Sequence, residues 1–356
     1  MATEPRAHRS AGGRRPSSSP SPTRRTVLAG LLAAPLSLGA TGCLIQGEGR
    51  GSVDGITTSE GTVNIDYATY NPLSLVIRHH GWLEQELGEQ GVGVNWVFSA
   101  GSNKANELLR AEAVDLGSTA GVAALLNRSN GAPTQVVAVA NRPEWAGLLV
   151  PADSPAQSLE DLRGGSVAAT RGTDPFFFTV RALQGAGIDL SEVEVQNLQH
   201  ADGRQAMEAG SVTAWAGLDP IMGGALGEGA RFLHRDLDLN TFSVVQATES
   251  FIQEHPERLQ TVMDTYQRAR VWALENPEET ARILAEAAGI EPEVARSVIT
   301  ERTNVDVSPV PGEDLHATLA ATGRLLVQTG DVDYQEQVDA ALDTLFAPRF
   351  AEEATR

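Results

Sequence analysis

The side chains best suited to hold a small anion fall mainly where predicted strands give way to predicted helices. They carry hydroxyl, amide, guanidinium, imidazole, indole and carboxylate groups: Tyr70, Asn71, Ser118, Thr119, Arg171, Thr173, His200, Trp215 and Asp219. In open α/β sheets ligands bind beyond the carboxyl ends of the strands. Helices that begin there add free N–H groups and the positive ends of their dipoles. We therefore predict a site for a small organic anion at these junctions.

Several of these residues also have a purely structural interpretation. Asp174 and Asp219 each precede a proline, a pattern typical of a helix cap followed by the first helical residue. Asp219 could instead accept a hydrogen bond from a ligand ammonium group. Thr173 could cap a helix or bind a ligand oxygen, so both roles stay open.

Two interpretations also remain for Arg171, for Trp215 and for the Ser118–Thr119 pair. The planar fork of Arg171 suits a sulfonate, a phosphate or a carboxylate, but it could equally form a surface salt bridge. Trp215 lies in an apolar run, so it packs in a core or lines a cleft. Ser118 and Thr119 end a predicted strand and either satisfy local backbone or contact the ligand.

Motifs for metal binding and for catalysis are missing from the sequence. His79 and His80 are adjacent and would point about 100° apart on a helix, with no nearby residues to complete a tetrahedral zinc site. We find no Ser-His-Asp spacing, phosphate loop or dinucleotide fingerprint. We therefore expect no metal, no cofactor and no enzymatic activity.

The elements that must position these residues alternate along the chain. From Val63 short strand-like runs alternate with amphipathic helices, which predicts α/β lobes with mainly parallel sheets. Leu73–Leu87 is predicted to be a single helix. Helices dominate after Ser250, beginning with a predicted helix over Phe251–Glu275. We predict two lobes joined by a two-segment hinge, with crossings near Leu148–Val150 and Val244–Gln246 and a ligand cleft between the lobes. The helical C-terminal region then packs on lobe one, formed by residues 61–147 and 245–356, while residues 148–244 form lobe two.

The N-terminal 60 residues predict export and anchoring rather than a folded lobe. Arg24 and Arg25 precede a short apolar run, which is typical of an export signal and resembles the twin-arginine type; an ordinary Sec signal is the alternative. The small residues before Cys43 resemble a lipobox. Residues 1–42 are thus the signal, Cys43 the lipid attachment site and residues 43–60 a flexible tether.

Composition narrows the range of partners. The net charge of −19 opposes binding to nucleic acid and electrostatic adhesion to anionic lipid. Cys43 is the sole cysteine, so an internal disulfide is excluded. The chain after residue 60 is long enough for two lobes with their own cores, and we expect a monomer.

A series of motifs carries a resemblance to a known family. In chain order the matching stretches are VNIDYATYNP at 63–72, LLRAEAVDLGST at 108–119, LLVPADSPAQSLEDL at 148–162, RGT at 171–173, ADGRQAMEAGSVTAWAGLDP at 201–220 and QEHP at 253–256. With these motifs the chain from about Val63 to Phe350 resembles the aliphatic sulfonate-binding proteins, which belong with taurine- and nitrate-binding proteins among the solute receptors of ABC importers.

This resemblance implies a function and a set of partners. The protein would be an exported receptor, held by lipid at the outer face of the cytoplasmic membrane. It would deliver a sulfonate-like organic anion to the permease subunits of an ABC importer. Taurine, nitrate and uncharged or aromatic nutrients are alternative ligands. A cofactor-linked pyrrole-polymerising enzyme and a sensing domain are alternatives of other classes; the first would need a cysteine in the fold, and Cys43 lies at the signal cleavage site.

Overall fold

A computed structural model describes residues 61–356, as ten strands and fourteen α-helices with short 3₁₀ and π turns between them. The export signal, Cys43 and the tether lie outside the described residues. The strands are β1 Thr62–Tyr67, β2 Gly93–Phe98, β3 Leu116–Ala120, β4 Thr134–Asn141, β5 Ala146–Val150, β6 Ser166–Ala168, β7 Glu194–Gln196, β8 Ala214–Leu218, β9 Arg231–His234 and β10 Ser243–Thr248.

The helices of the two α/β parts precede a run of C-terminal helices. The first set is α1 Pro72–His80, α2 Trp82–Gly88, α3 Ser102–Arg110, α4 Gly121–Ser129, α5 Asp174–Gly185, α6 His200–Glu208 and α7 Ile221–Gly227. The second set is α8 Glu249–Glu254, α9 Pro256–Glu275, α10 Pro277–Ala288, α11 Pro292–Ser297, α12 Glu313–Gln328, α13 Gln335–Thr344 and α14 Arg349–Ala354.

The strands form two five-stranded sheets, one in each lobe. Their orders are β2-β1-β3-β10-β4 and β7-β6-β8-β5-β9. In the first sheet β1 pairs in parallel with β2 and β3, and in the second β6 pairs in parallel with β7 and β8. β10 and β5 each run antiparallel to both neighbours. Each sheet is therefore mainly parallel, with one inverted strand. The inverted strands, β5 and β10, are the first strands after each crossing between the lobes.

The two crossings lie a few residues from the predicted positions. β5 is wholly within the second sheet and β10 wholly within the first, so the chain crosses at residues 142–145 and again at 235–242. Leu148–Val150 and Val244–Gln246, the expected crossings, lie inside these buried strands. A strand and a hinge segment are both extended, so the sequence could not separate a hinge from the strand beside it.

Two predicted helices are broken in the structure. The predicted helix Leu73–Leu87 is interrupted at Gly81, where φ of 65° lies in the left-handed region that favours glycine. The predicted helix Phe251–Glu275 is two helices because Pro256 begins the second, and proline cannot continue an i to i−4 hydrogen-bond ladder. β9 was not predicted from the sequence.

The C-terminal helices pack mainly on lobe one. α9 and α10 contact α1, α12 and α13 contact α4, and α14 contacts β4, while α11 reaches α7 of lobe two. The apolar residues of α1, α9 and α10 share one buried cluster with the first sheet. No helix within residues 61–356 is both long and apolar enough to cross a membrane.

Candidate functional site

Four helices begin at the junction between the lobes without a side-chain cap. They are α1 and α3 of lobe one and α5 and α6 of lobe two. α8, which begins after β10, does have one, because Thr248 accepts a hydrogen bond from the N–H of Phe251 at 3.3 Å. Uncapped helix starts carry unsatisfied N–H groups and positive dipole ends, which together favour anionic oxygens.

The lobes come into close contact where Gly101 faces His200. Gly101 precedes α3 in lobe one, and His200 is the first residue of α6 in lobe two. A Cβ atom added to Gly101 would lie 3.0 Å from His200 Nε2 and 2.9 Å from Asn103 Oδ1. A side chain at position 101 would therefore press against His200 of the other lobe, and glycine permits this close approach.

Unpartnered buried polar atoms are concentrated at this junction. Of the ten such side-chain atoms among the described residues, five belong to residues at strand ends or helix starts between the lobes: Asn71 Oδ1, Asn103 Oδ1, Asn141 Oδ1, His200 Nε2 and Ser243 Oγ. Buried polar atoms are normally hydrogen-bonded, and an exception calls for an explanation. A polar ligand bound here would satisfy them.

The predicted residues of the first sheet do meet at this place, but most of their polar groups are already engaged. The hydroxyl of Tyr70 donates to the carbonyl of Ser118 at 2.8 Å. Asn71 donates through Nδ2 to the hydroxyl of Tyr266 at 3.3 Å. The Oδ1 atom of Asn71 remains free, so among Tyr70, Asn71 and Ser118 it is Asn71 that is best placed to contact a ligand.

Asp66 has a buried carboxyl beneath the site. The sequence analysis did not single out this residue. It accepts hydrogen bonds from the N–H of Ser118 at 2.9 Å and from the Ser118 hydroxyl at 3.0 Å. Burial raises the pKa of Asp66 to about 7, and the bonds from Ser118 oppose that rise. A carboxyl in β1 beside Val63 and Ile65 was the available signal, because strands buried on both faces rarely carry one.

Thr119 is held by a chain of buried amides. Gln246 Nε2 donates to Thr119 Oγ1 at 2.9 Å and to Asn106 Oδ1 at 3.0 Å. The Gln246 Oε1 atom accepts from Thr134 Oγ1 at 2.9 Å. Because Thr119 Oγ1 accepts from Gln246, its own proton remains available to donate.

On the lobe-two side, Thr173 and His200 are both anchored by Thr170. The hydroxyl of Thr173 donates to the carbonyl of Thr170 at 2.6 Å rather than capping α5. The ring of His200 contacts Thr170 Oγ1 through Nδ1 at 3.2 Å. Burial lowers the pKa of His200 to about 4, so its ring is neutral at ordinary pH.

Arg171 of lobe two forms a salt bridge with Asp331 of lobe one at the exposed edge of the junction, so its guanidinium is already engaged rather than free to bind an anion. Its side chain is 43% exposed, and Nη2 donates to Asp331 Oδ1 at 2.9 Å and to the carbonyl of Thr329 at 3.0 Å. The guanidinium also stacks on the ring of Phe176. The surface salt bridge that the sequence left open is therefore the observed state.

Trp215 and Asp219 are also engaged elsewhere. Trp215 is fully buried in an apolar cluster inside lobe two with Leu149, Met207 and Met222. It therefore packs in a core and does not line the cleft. Asp219 Oδ2 accepts from Arg302 Nε at 2.6 Å, and its Oδ1 accepts from the N–H of Gly223 at 2.9 Å. That carboxylate is unavailable to a ligand ammonium group.

Asp174 binds the hinge rather than capping α5. It is buried at the start of that helix and accepts from Trp145 Nε1 at 2.7 Å. It also accepts from the N–H and the hydroxyl of Thr241, both at 2.8 Å. Trp145 and Thr241 belong to the first and second crossings, so one carboxylate of lobe two holds both hinge segments together.

Two sheets, two crossings and a polar junction between the lobes define a two-lobed binding protein of the periplasmic-binding-protein fold. The NMT1/THI5-like family model matches residues 75–280, more than half of the chain. The protein therefore belongs to the NMT1/THI5-like family.

Proteins named for sulfonate binding are similar to this chain over most of its length. A relative from Escherichia coli K12, provisionally named an aliphatic sulfonates-binding protein, is 29% identical over 267 residues, covering 74% of this chain and 81% of its own. The crystal structure of the periplasmic aliphatic sulphonate binding protein from Escherichia coli has a TM-score of 0.70 at 26% identity, covering 82% of this chain and 93% of that one. The MOPS-bound alkanesulfonate-binding protein from Xanthomonas axonopodis pv. citri has a TM-score of 0.72 at 22% identity, covering 80% and 99%.

A desulfurization enzyme shares the fold. Its TM-score is 0.63 at 16% identity, with 83% of this chain and 99% of that chain covered. At that identity the likeness extends to the fold alone. The family and the closer similarities point to a binding protein rather than to an enzyme.

Proposed function

We propose that this protein is an exported receptor that captures an organic sulfonate between its two lobes and delivers it to the permease subunits of an ABC importer. The observation that carries the proposal is the convergence of the uncapped starts of α3, α5 and α6 at the junction, because helix starts supply N–H donors and positive dipole ends. A sulfonate spreads one negative charge over three oxygens and stays ionised at biological pH. It therefore needs several donors and no general base.

Capture requires the lobes to separate. The cavity lined by Tyr70, Asn141, Trp145 and Asp219 has a volume of about 10 Å³, room for about one water molecule. Two-segment hinges allow rigid-body closure of lobes around a ligand. Asp174 sits where both segments meet, so we infer that it fixes the hinge axis.

Calorimetric titration of the full chain with butanesulfonate, nitrate and sulfate tests the function. We expect butanesulfonate to bind with a dissociation constant in the micromolar range or below, about −8 kcal/mol or better, and with a decrease in radius of gyration. Nitrate has no tail to use the remaining cleft surface and should bind at least tenfold more weakly. Failure of every sulfonate tried to bind would refute the ligand assignment, and binding without any change in radius would refute closure.

We also propose that lipid at Cys43 anchors the receptor to the outer face of the cytoplasmic membrane. The small residues before the sole cysteine support this. Cys43→Ser should move the protein from the membrane fraction to the soluble exported fraction without changing its thermal unfolding, because Cys43 lies outside the described lobes. The anchor is absent if the variant stays in the membrane fraction after a high-salt wash.

The enzyme alternative makes an opposite prediction. A receptor should return its sulfonate unchanged after prolonged incubation, whereas a desulfurization enzyme would release the sulfur group. Mass spectrometry of the ligand recovered from the calorimeter cell distinguishes the two. We expect recovery of intact sulfonate.

A further inference from the structure

The ring of His200 presents a bare acceptor to the junction. Thr170 Oγ1 donates its single proton to the carbonyl of Leu198 at 2.7 Å. Its contact of 3.2 Å with His200 Nδ1 must then be a hydrogen bond donated by Nδ1–H. In a neutral imidazole the other nitrogen carries a lone pair and no proton. Nε2 is therefore an acceptor, and it is buried without a partner.

A second unpartnered acceptor converges on the same point from lobe one. Asn103 Oδ1 and His200 Nε2 would lie 2.9 Å and 3.0 Å from a Cβ atom on Gly101, so they are at most about 6 Å apart. Both atoms are buried without a partner. An amide oxygen and an unprotonated imidazole nitrogen thus face one small region beside the start of α3.

This pair of atoms is poorly matched to an anion. A sulfonate oxygen placed there would meet two lone pairs and no donor, and leaving buried acceptors unpaired costs free energy. A hydrogen-bond donor would satisfy both atoms. Burial keeps the His200 ring neutral, so the imidazolium form, which could donate to an anion, is not available near neutral pH.

We propose that His200 and Asn103 bind a hydrogen-bond donor on the ligand, so that the preferred sulfonate carries a protonated amine or a hydroxyl group on its tail. This rests on the proposed function, because the sulfonate end is assigned to the uncapped helix starts. A protonated amine fits better than a hydroxyl, since hydrogen bonds to charged groups are stronger. The resulting zwitterion has no net charge and would avoid long-range repulsion by a chain of net charge −19.

The test compares three sulfonates of equal chain length by calorimetry of the full chain at pH 7. Taurine ends in a protonated amine, isethionate in a hydroxyl and 1-propanesulfonate in a methyl group. We expect taurine to bind the wild type at least tenfold more tightly than 1-propanesulfonate, with isethionate between them. His200→Leu removes the acceptor and should reduce this ratio to less than threefold, while His200→Gln, which restores an acceptor oxygen, should keep part of it.

Two further variants separate recognition from a structural effect. Asn103→Ala alters the acceptor of the other lobe and should also lower the ratio, which keeps the test informative if the His200 variants unfold. Ser129→Ala removes another buried unpartnered atom, at the far end of α4 from the junction, and should leave the ratio unchanged.

The outcomes distinguish this inference from the function on which it rests. If none of the three sulfonates binds the wild type, the sulfonate assignment itself fails. If all three bind equally, or if His200→Leu weakens all three by the same factor, the donor recognition by His200 is refuted while the receptor function stands. A preference for isethionate over taurine would overturn the choice of an amine.

Discussion

Replacing Arg302 by methionine is expected to lower the free energy of unfolding by about 3–5 kcal/mol, the usual cost of removing one partner from a buried ion pair. The side chains of Arg302 and Asp219 are only 7% and 5% exposed, and their closest atoms are 2.6 Å apart. Burial raises the pKa of Asp219 and Arg302 opposes that rise. Without the guanidinium, the carboxylate must either stay charged in a buried site or take up a proton.

Matched variants show whether the cost comes from the buried charge. Arg302→Met combined with Asp219→Asn keeps an oxygen for the N–H of Gly223 but removes the stranded charge, so part of the stability should return. Arg296 forms an exposed pair with Glu278 at 3.0 Å, and Arg296→Met should cost about 0–1 kcal/mol. Urea unfolding of all four proteins measures this; similar losses for Arg302→Met and Arg296→Met would contradict the buried-pair account.

Replacing Gly101 by valine is expected to weaken sulfonate binding at least 100-fold, about 2.7 kcal/mol, with little effect on folding. Gly101 has φ of 172° and ψ of 165°, an extended conformation that valine adopts without strain. Its first added atom would, however, lie 3.0 Å from the ring nitrogen of His200 on the opposite lobe. The side chain would therefore hold the lobes apart and prevent closure on the ligand.

Gly93→Val is the control for this substitution. Gly93 begins β2, and a Cβ there would meet its nearest atom at an ordinary 3.5 Å. We expect Gly93→Val to bind as the wild type does, and Gly101→Val to keep a large radius of gyration even with excess sulfonate. Wild-type affinity in Gly101→Val would mean that the lobes do not close at this contact.

The sequence predicted the fold well because its signals are local and repeated. Alternating strands and helices after Val63 and the purely helical segment after Ser250 are each read from short windows, and both are found in the structure. The hinge was harder to place. β5 and β10 are short extended runs that are buried along their whole length, and the sequence did not distinguish a strand that stays in one lobe from a crossing segment.

The sequence led to some members of the candidate site and to other residues that the structure engages elsewhere. Strand ends and helix starts led to Asn71, Thr119 and His200. They also led to Arg171, whose partner Asp331 is 160 residues away in the sequence. They led as well to Trp215, which is buried by residues from other elements, such as Leu149 of β5. Pairings of that kind cannot be read from spacing. Gly101 was missed for the same reason, because its role is defined by a residue of the other lobe.

The position of the sulfonate sulfur in a crystal of the liganded protein, found by anomalous scattering at long wavelength, tests the proposed binding site most directly. We expect a sulfur peak between the lobes, with the sulfonate oxygens about 3 Å from the first-turn N–H groups of α3, α5 or α6. A peak at another site, such as the groove lined by Arg142, Phe242 and Leu315 or beside Arg171, with the junction empty, would contradict this expectation.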